Sequence, residues 1–561
     1  MQLITRHYFK SLNDYGLIYW TTYIKIDWRS MAKKISAQQL HKLIEDLEEL
    51  ALIDTREEGD FGLAHILLCA NISLSQLEIK IPDLVPRKST RIVLCDGDGV
   101  NTHLAAEKLE YFGYSDVSIL DGGVTAWGDA GLEIFSGLNV PSKAFGEFVE
   151  HTYDTPSVSA EELKVMMDKK EDMIVLDSRP MAEFNVMNIP TGIDMPGAEL
   201  VHRVQETGIS TDTTIVVNCA GRTRSIIGAQ SLINAGVPNK VVALRNGTMG
   251  WHLAGFKLEH GMDRPPPSVS NAGHKIAMER ALYAAKRFGV TTINSKKLTA
   301  WREEQAERTL CILDVRTLEE FEISHISDSR HAPGGQLVQA TDVYVATQKA
   351  RVVLVDDLMV RAFMTASWLR QLGWCEVYVL GTGFDGQAMS SGERIAPCFG
   401  LEMQKLNIIS PKEALAAQET GANMICLDRS LSCREKHPKG SWFSIRSKLT
   451  KDIVSNNIDA PLIFISTDVR VSALAALDMA KYKNGVSIVE GGVAAWEKAG
   501  LALEGGLNNV LSVPNDVYLR AYDREDPIEV EKAMNEYLTW ELGLVEQISR
   551  PGGTTFEIFS E

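Results

Sequence analysis

Thr214-Ile215-Val216-Val217-Asn218-Cys219-Ala220-Gly221-Arg222-Thr223-Arg224-Ser225 is an apolar run that ends in a cysteine, turns through a glycine and two arginines, and continues into a helical pattern from Ile226 to Asn234. A strand, a tight loop and a helix in that order make an α/β unit. The cysteine sits at the positive end of the helix, where free backbone N–H groups point outward. Arg222 and Arg224 flank it, and each of these effects favours thiolate over thiol. The loop reads as one that holds a negatively charged sulfur and receives an anionic substrate.

Working outward, the same unit recurs. A strand ending in Asp-x-Arg appears as Leu52-Ile-Asp54-Thr-Arg56, Val175-Leu-Asp177-Ser-Arg179 and Ile312-Leu-Asp314-Val-Arg316, with a weaker form at Cys426-Leu-Asp428-Arg429. A second Val/Ile-rich strand before a helix occurs at Ile92–Leu94, Ile215–Val217, Val352–Leu354 and Leu462–Phe464. A glycine turn before an aromatic follows as Asp121-Gly-Gly-Val-Thr-Ala-Trp127, Arg245-Asn-Gly-Thr-Met-Gly-Trp251 and Glu490-Gly-Gly-Val-Ala-Ala-Trp496, with only Gly381-Thr-Gly383-Phe384 in the third unit. The order is constant and the period is about 120 residues, a normal domain size. Short apolar strands alternating with helices predict a mostly parallel sheet flanked by helices in each unit. Pro265-Pro-Pro267 and the Ser, Asn and Gly residues after it read as a linker that divides the chain into two pairs of units.

Composition bounds the reading. A chain of 561 residues is too long for one core. Its net charge of −17 argues against nucleic-acid and anionic-membrane partners. Its eight cysteines show no metal-ligand spacing, which predicts no metal site and fits a reducing cytoplasm. No apolar run reaches membrane-spanning length. The first thirty residues lack the continuous apolar core of a signal peptide. Translation is expected to begin at Met31, which makes residues 1–30 an extension from a misplaced start.

These motifs, taken together and repeated in order, resemble the rhodanese (thiosulfate sulfurtransferase) family, in its multi-domain bacterial form. The resemblance implies four tandem rhodanese-like domains of α/β class, each a mostly parallel central sheet flanked by helices. It places domain 1 at 31–140, domain 2 at 150–262, domain 3 at 275–395 and domain 4 at 405–507, with a C-terminal helical tail at 508–561. That tail reads as one amphipathic helix from Ile528 to Leu544 carrying no recognisable chemistry. Taking Gly113, Gly236 and Gly373 as helix-end anchors, Cys219 falls opposite Asp96 and Asp356. Ser472 set against Ser225 puts Ser466 there in unit four. Only domain 2 is expected to be catalytic. Asp96 and Asp356 are read as helix caps, and Cys95 becomes a second nucleophile only if the register shifts by one residue.

What the resemblance implies is a sulfurtransferase. Cys219 takes a sulfane sulfur from thiosulfate or a similar donor as a covalent persulfide, with no other cofactor, and passes it to a thiol or cyanide acceptor. Backbone N–H groups of Ala220, Gly221, Arg222, Thr223, Arg224 and Ser225 are expected to cradle the outer sulfur. Arg222 and Arg224 are expected to bind a small sulfur-donor anion. Arg245, Asn246 and Gly247 are read as the entrance of the site. Asp177 and Arg179 are assigned to structure, because the same pair recurs where the nucleophile is missing. The expected partners are the donor, the acceptor and a protein sulfur acceptor, and a homodimer is compatible with the sequence. Two rival readings are a non-catalytic binding scaffold and a rhodanese-fold phosphatase or arsenate reductase. The latter's longer loop would put an arginine at Ser225.

Overall fold

Met173–Asp177 and Thr214–Asn218 are strands because each is a run of apolar residues buried on both faces, and together they form the centre of a parallel sheet. In unit two the strand order is Ser157–Val158, Val241–Leu244, Thr214–Asn218, Met173–Asp177 and Ile193–Asp194. Unit three repeats it with Thr291–Ile293, Val377–Leu380, Arg351–Val355, Leu310–Asp314 and Arg330–His331. Unit four does so with Asn407–Ile409, Val486–Val489, Leu462–Ile465, Asn423–Cys426 and Trp442–Phe443. Unit one uses Lys33–Ile35, Val117–Leu120, Arg91–Cys95, Leu50–Asp54 and Ala70–Asn71 in the same order. The fold is thus four α/β sheets flanked by helices. The structure is a computed structural model that describes residues 32–97 and 99–559. The expected extension at 1–30 and start at Met31 lie outside the described residues.

The Asp-x-Arg marker locks the sheet end in units one, two and three, whereas in unit four Asp428 accepts from Thr467 and Arg429 pairs with Glu58. Arg179 donates Nε and Nη2 to the two oxygens of Asp177 at 2.9 and 2.8 Å, and Nη2 also reaches the Met187 carbonyl at 2.6 Å. Arg56 on Asp54 and Arg316 on Asp314 repeat this geometry. The tryptophans of the third marker are core residues. Nε1 of Trp127, Trp251 and Trp496 each donates to the carbonyl six residues on, at 3.0, 2.9 and 3.1 Å.

The units are not arranged as two separate pairs. The stretch expected to be a linker is irregular from Pro265 to Ser270, and only its last residues enter the helix Asn271–Arg287, capped by the Ser270 hydroxyl, which accepts from the Gly273 N–H at 3.0 Å. Ala277, Ala281, Ala284 and Ala285 of this helix are buried. They merge the cores of units two and three into one, against the helix Val360–Gln371. Small residues at that spacing let two helices approach closely, which overrides the loop-like composition at the start. Unit three also lends the strand Thr347–Gln348 to unit one, antiparallel to Leu50–Ala51.

Unit four is tied to unit one through Arg446. Its Nη1 and Nη2 donate to Glu78 at 2.8 and 2.9 Å, and both side chains are almost wholly buried. Burial by itself pushes the Glu78 carboxyl up, but Arg446 and Lys108 together outweigh it and hold the group at about 2. The C-terminal segment after 508 runs across all four units and contains the helix Pro527–Ile548, longer at both ends than the sequence suggests. Among the described residues, no helix is long and apolar enough to cross a membrane.

Glu78→Ala removes one of the two carboxylates that hold the buried Arg446 guanidinium, Asp478 remaining at 2.8 Å, and is expected to cost about 1–3 kcal/mol. Chemical denaturation of the two proteins checks this. Because the Glu78 value is depressed, the contribution is present above the ordinary value of 4.5 and is lost as the pH falls toward 2.

Candidate active site

Cys219 stands one residue beyond the central strand Thr214–Asn218 and four before the helix Thr223–Asn234. It is 2 % exposed. The turn that begins at Asn246 lies directly on it. Thr248 N–H donates to the Cys219 carbonyl at 2.9 Å and Met249 N–H to the Ala220 carbonyl at 3.0 Å. Gly247 has φ +53°, and a Cβ there would lie 2.3 Å from the Cys219 oxygen. Only glycine allows this approach.

The same contact identifies the equivalent residues elsewhere. A Cβ on Gly123 would meet the Asp96 carbonyl at 2.1 Å, and one on Gly492 the Ser466 carbonyl at 2.1 Å. In unit three the approach of Gly383 is looser, 3.2 Å to Asp357 O and 3.9 Å to Asp356 O. Cys95 is therefore the last residue of its strand and not the loop residue. It is fully buried, with its Sγ 3.3 Å from Cys69 Sγ. Asp54, Cys69 and Cys95 bring three ligand-type atoms within 4.8 Å, but Arg56 already binds both Asp54 oxygens.

The three units without a cysteine at this position show what the loop does to an atom there. Asp96 accepts from Gly99 N–H at 2.8 Å and from Thr102 N–H, six residues on, at 3.1 Å. Ser466 accepts from Ser472 N–H, also six residues on, at 3.1 Å. Asp356 accepts from the N–H groups of Arg361 at 2.8 Å and Ala362 at 3.4 Å. In unit two the corresponding donor is the N–H of Ser225, which lowers the Cys219 thiol, while the Ser225 hydroxyl donates to the Arg222 carbonyl at 2.7 Å.

The two loop arginines separate in role. Arg222 turns away from the loop. Its Nε and Nη2 bind Glu147 at 2.6 and 2.9 Å, Nη2 also binds Glu150, and Nη1 reaches Asn246 Oδ1 at 3.3 Å. Arg224 binds Glu183 through both terminal nitrogens at 2.8 Å. Arg361 is its counterpart five residues after Asp356. It binds Glu320, the counterpart of Glu183, and also places Nη2 2.9 Å from Asp356 Oδ1. An arginine at this position can therefore serve a carboxylate of the preceding unit edge and the loop atom together. Arg245 is exposed and directed to Ser157 Oγ at 3.1 Å, away from the loop.

Burial pushes the Cys219 thiol above the ordinary cysteine range. The Arg224 guanidinium and the Ser225 N–H act in the opposite direction, and Glu541 reinforces the rise. The thiolate expected from the flanking arginines is thus opposed by desolvation and by the Glu541 carboxylate.

Several side chains of the site were not recognisable in the sequence. Glu147, Glu150 and Lys143 come from the helix Val140–Tyr153 between units one and two. Tyr522, Tyr537 and Glu541 come from the C-terminal segment. Thr223 Oγ1 donates to Glu541 Oε1 at 2.9 Å, and Tyr537 OH donates to the same oxygen at 2.7 Å. Lys143 Nζ is 3.6 Å from Glu541 and bonded to Tyr537 OH. Thr248 Oγ1 and Tyr522 OH are 3.3 Å apart. The tail read as lacking chemistry roofs the loop of unit two. Only the four-residue spacing of Tyr537 and Glu541 on one helix face hinted at it.

Comparison with known proteins agrees with this architecture. The model of the family described as rhodanese-like domain matches residues 36–130, 159–254 and 296–389. The crystal structure of a thiosulfate sulfurtransferase from Pseudomonas aeruginosa is 41% identical, covers 94% of this chain and 100% of its own, and superposes with a TM-score of 0.89. The uncharacterized protein YibN of Escherichia coli K12 is 26% identical over 141 residues, 24% of this chain and 96% of that protein.

The raised Cys219 value has a direct consequence. Alkylation of Cys219 by iodoacetamide is expected to climb about tenfold per pH unit from pH 7 to 9, because only the thiolate reacts. Peptide mass mapping over a pH series checks this, and a rate that levels off below pH 8 contradicts it.

Proposed function

As the chain belongs to the rhodanese-like family and is an enzyme of the sulfurtransferase type, we propose that Cys219 is its single sulfur carrier, taking a sulfane sulfur from thiosulfate or a similar donor as a persulfide. One observation carries this reading. In every unit, backbone N–H groups at the start of the loop helix converge on the atom at the cysteine position, and only unit two puts sulfur there.

The first half-step breaks the S–S bond of the donor. Cys219 thiolate attacks the outer sulfur of thiosulfate, the bonding pair leaves with sulfite, and Cys219 keeps the sulfur as an anionic persulfide. The Ser225 N–H and the Arg224 guanidinium stabilise that anion in a site shielded from water. Arg224 supplies the charge, as Arg361 does for Asp356. Arg222 orients the loop against Glu147 and Asn246. In the second half-step a thiol or cyanide attacks the outer sulfur and returns Cys219 as thiolate. Units one, three and four are scaffold. The carboxylate or hydroxyl at the loop position already occupies the N–H groups.

Thiosulfate treatment followed by intact-mass measurement is expected to show one added sulfur on the wild-type chain and none on Cys219→Ala. Peptide mapping is expected to put it on Cys219. Failure to load from thiosulfate and from low-molecular-weight persulfides alike would contradict the reading.

A further inference from the structure

The helix Pro527–Ile548 belongs to none of the four repeats, yet it lays its Tyr537 and Glu541 on the one loop that carries a cysteine. Tyr537 Cε1 stands 3.0 Å, and Glu541 Oε2 3.3 Å, from where a Cβ on Gly221 would be. The Glu541 side chain is wholly inaccessible. Its two oxygens are treated differently. Oε1 accepts from Thr223 and Tyr537 and faces Lys143. Oε2 is buried and has no hydrogen-bond partner.

A buried carboxylate oxygen without a donor is costly, and one anchored through its twin oxygen is held in a single orientation. Oε2 is an acceptor only. It suits a ligand that brings a hydrogen-bond donor to the catalytic loop, and it disfavours one that brings only anionic oxygens. Thiosulfate carries no such donor. A thiol acceptor does, and its proton must leave before its sulfur can attack. None of the loop residues Cys219 to Ser225 is a carboxylate or histidine able to take that proton.

Resting on the persulfide reading above, we propose that Glu541 is a catalytic residue of the second half-step, the base that accepts the proton of the incoming thiol. The thiol S–H bond breaks and its proton passes to Oε2. The freed electron pair attacks the outer sulfur of the Cys219 persulfide. The S–S bond breaks and its pair stays on Cys219 as thiolate. The product leaves as a persulfide anion, and the proton returns to it from Glu541, restoring the carboxylate. Thr223, Tyr537 and Lys143 position the base. The acceptor class is a low-molecular-weight thiol.

Single-turnover discharge of thiosulfate-loaded protein tests this, with the loss of the added sulfur followed by intact mass. Glu541→Gln is expected to slow discharge to dithiothreitol about 100-fold, the typical worth of a general base. Discharge to cyanide, which brings no S–H bond, is expected to fall about threefold at most. Glu541→Asp is expected to recover part of the thiol rate. Tyr537→Phe, which removes one of the bonds holding the carboxylate, is expected to slow thiol discharge more than cyanide discharge. This second variant decides the matter should Glu541→Gln fail to fold. Equal slowing with both acceptors, or none with either, would overturn the assignment while leaving Cys219 as carrier. Wild-type protein that never gains the sulfur would overturn the carrier reading and this assignment with it.

Discussion

Backbone N–H groups left free where a helix begins must find an acceptor, and in this chain four helices aim them at one atom each. The strand before the loop ends at the carboxyl edge of the sheet, and the donor sits six residues on in units one, two and four and five to six in unit three. A carboxylate or hydroxyl at that atom completes the hydrogen bonding from within. A sulfur there is a far weaker acceptor as a thiol and a good one as an anion, so the same geometry favours charge on sulfur only in unit two. The Gly247 approach to the Cys219 carbonyl keeps the loop in this shape.

The charges around that nest are balanced. Arg222 and Arg224 bring positive charge to the loop, and Glu147, Glu150 and Glu183 bind it. Burial alone pushes the Glu183 carboxyl up, but Arg224 outweighs it and holds the group at about 2. Such pairs fix the arginines in place rather than leaving them to solvent, around a cysteine whose thiol burial pushes up. The other units brace the site. Arg361 of unit three reaches Glu199 of unit two at 3.1 Å, Thr347–Gln348 of unit three extends the sheet of unit one, and the helix Asn271–Arg287 joins two cores.

Much of the fold was legible because it is repeated. The Asp-x-Arg strand end, the Val/Ile-rich strand and the Gly…Trp turn each mark a local structure that a few neighbouring residues determine, as the recurring Trp Nε1 bonds show. The loop between that strand and its helix was legible for the same reason. The partners of the site were not, because they lie outside the repeat. Lys143 and Glu147 are ordinary helical residues until Val140–Tyr153 is packed on the loop helix. Glu541 is 318 residues from the threonine it binds. The linker was legible from Pro265 to Ser270, but not where it ends. Its Ser and Gly residues read as loop, but Ser270 is a helix cap and the alanines beyond it are a packing face.

The most direct test of a single sulfur carrier is a crystal structure of the thiosulfate-treated protein, with the added sulfur located by its anomalous signal. The account predicts one extra sulfur bonded to Cys219 Sγ, within hydrogen-bond reach of the Ser225 N–H, and none beside Asp96, Asp356 or Ser466. An unmodified Cys219 with the sulfur on Cys95 or any other cysteine would contradict it.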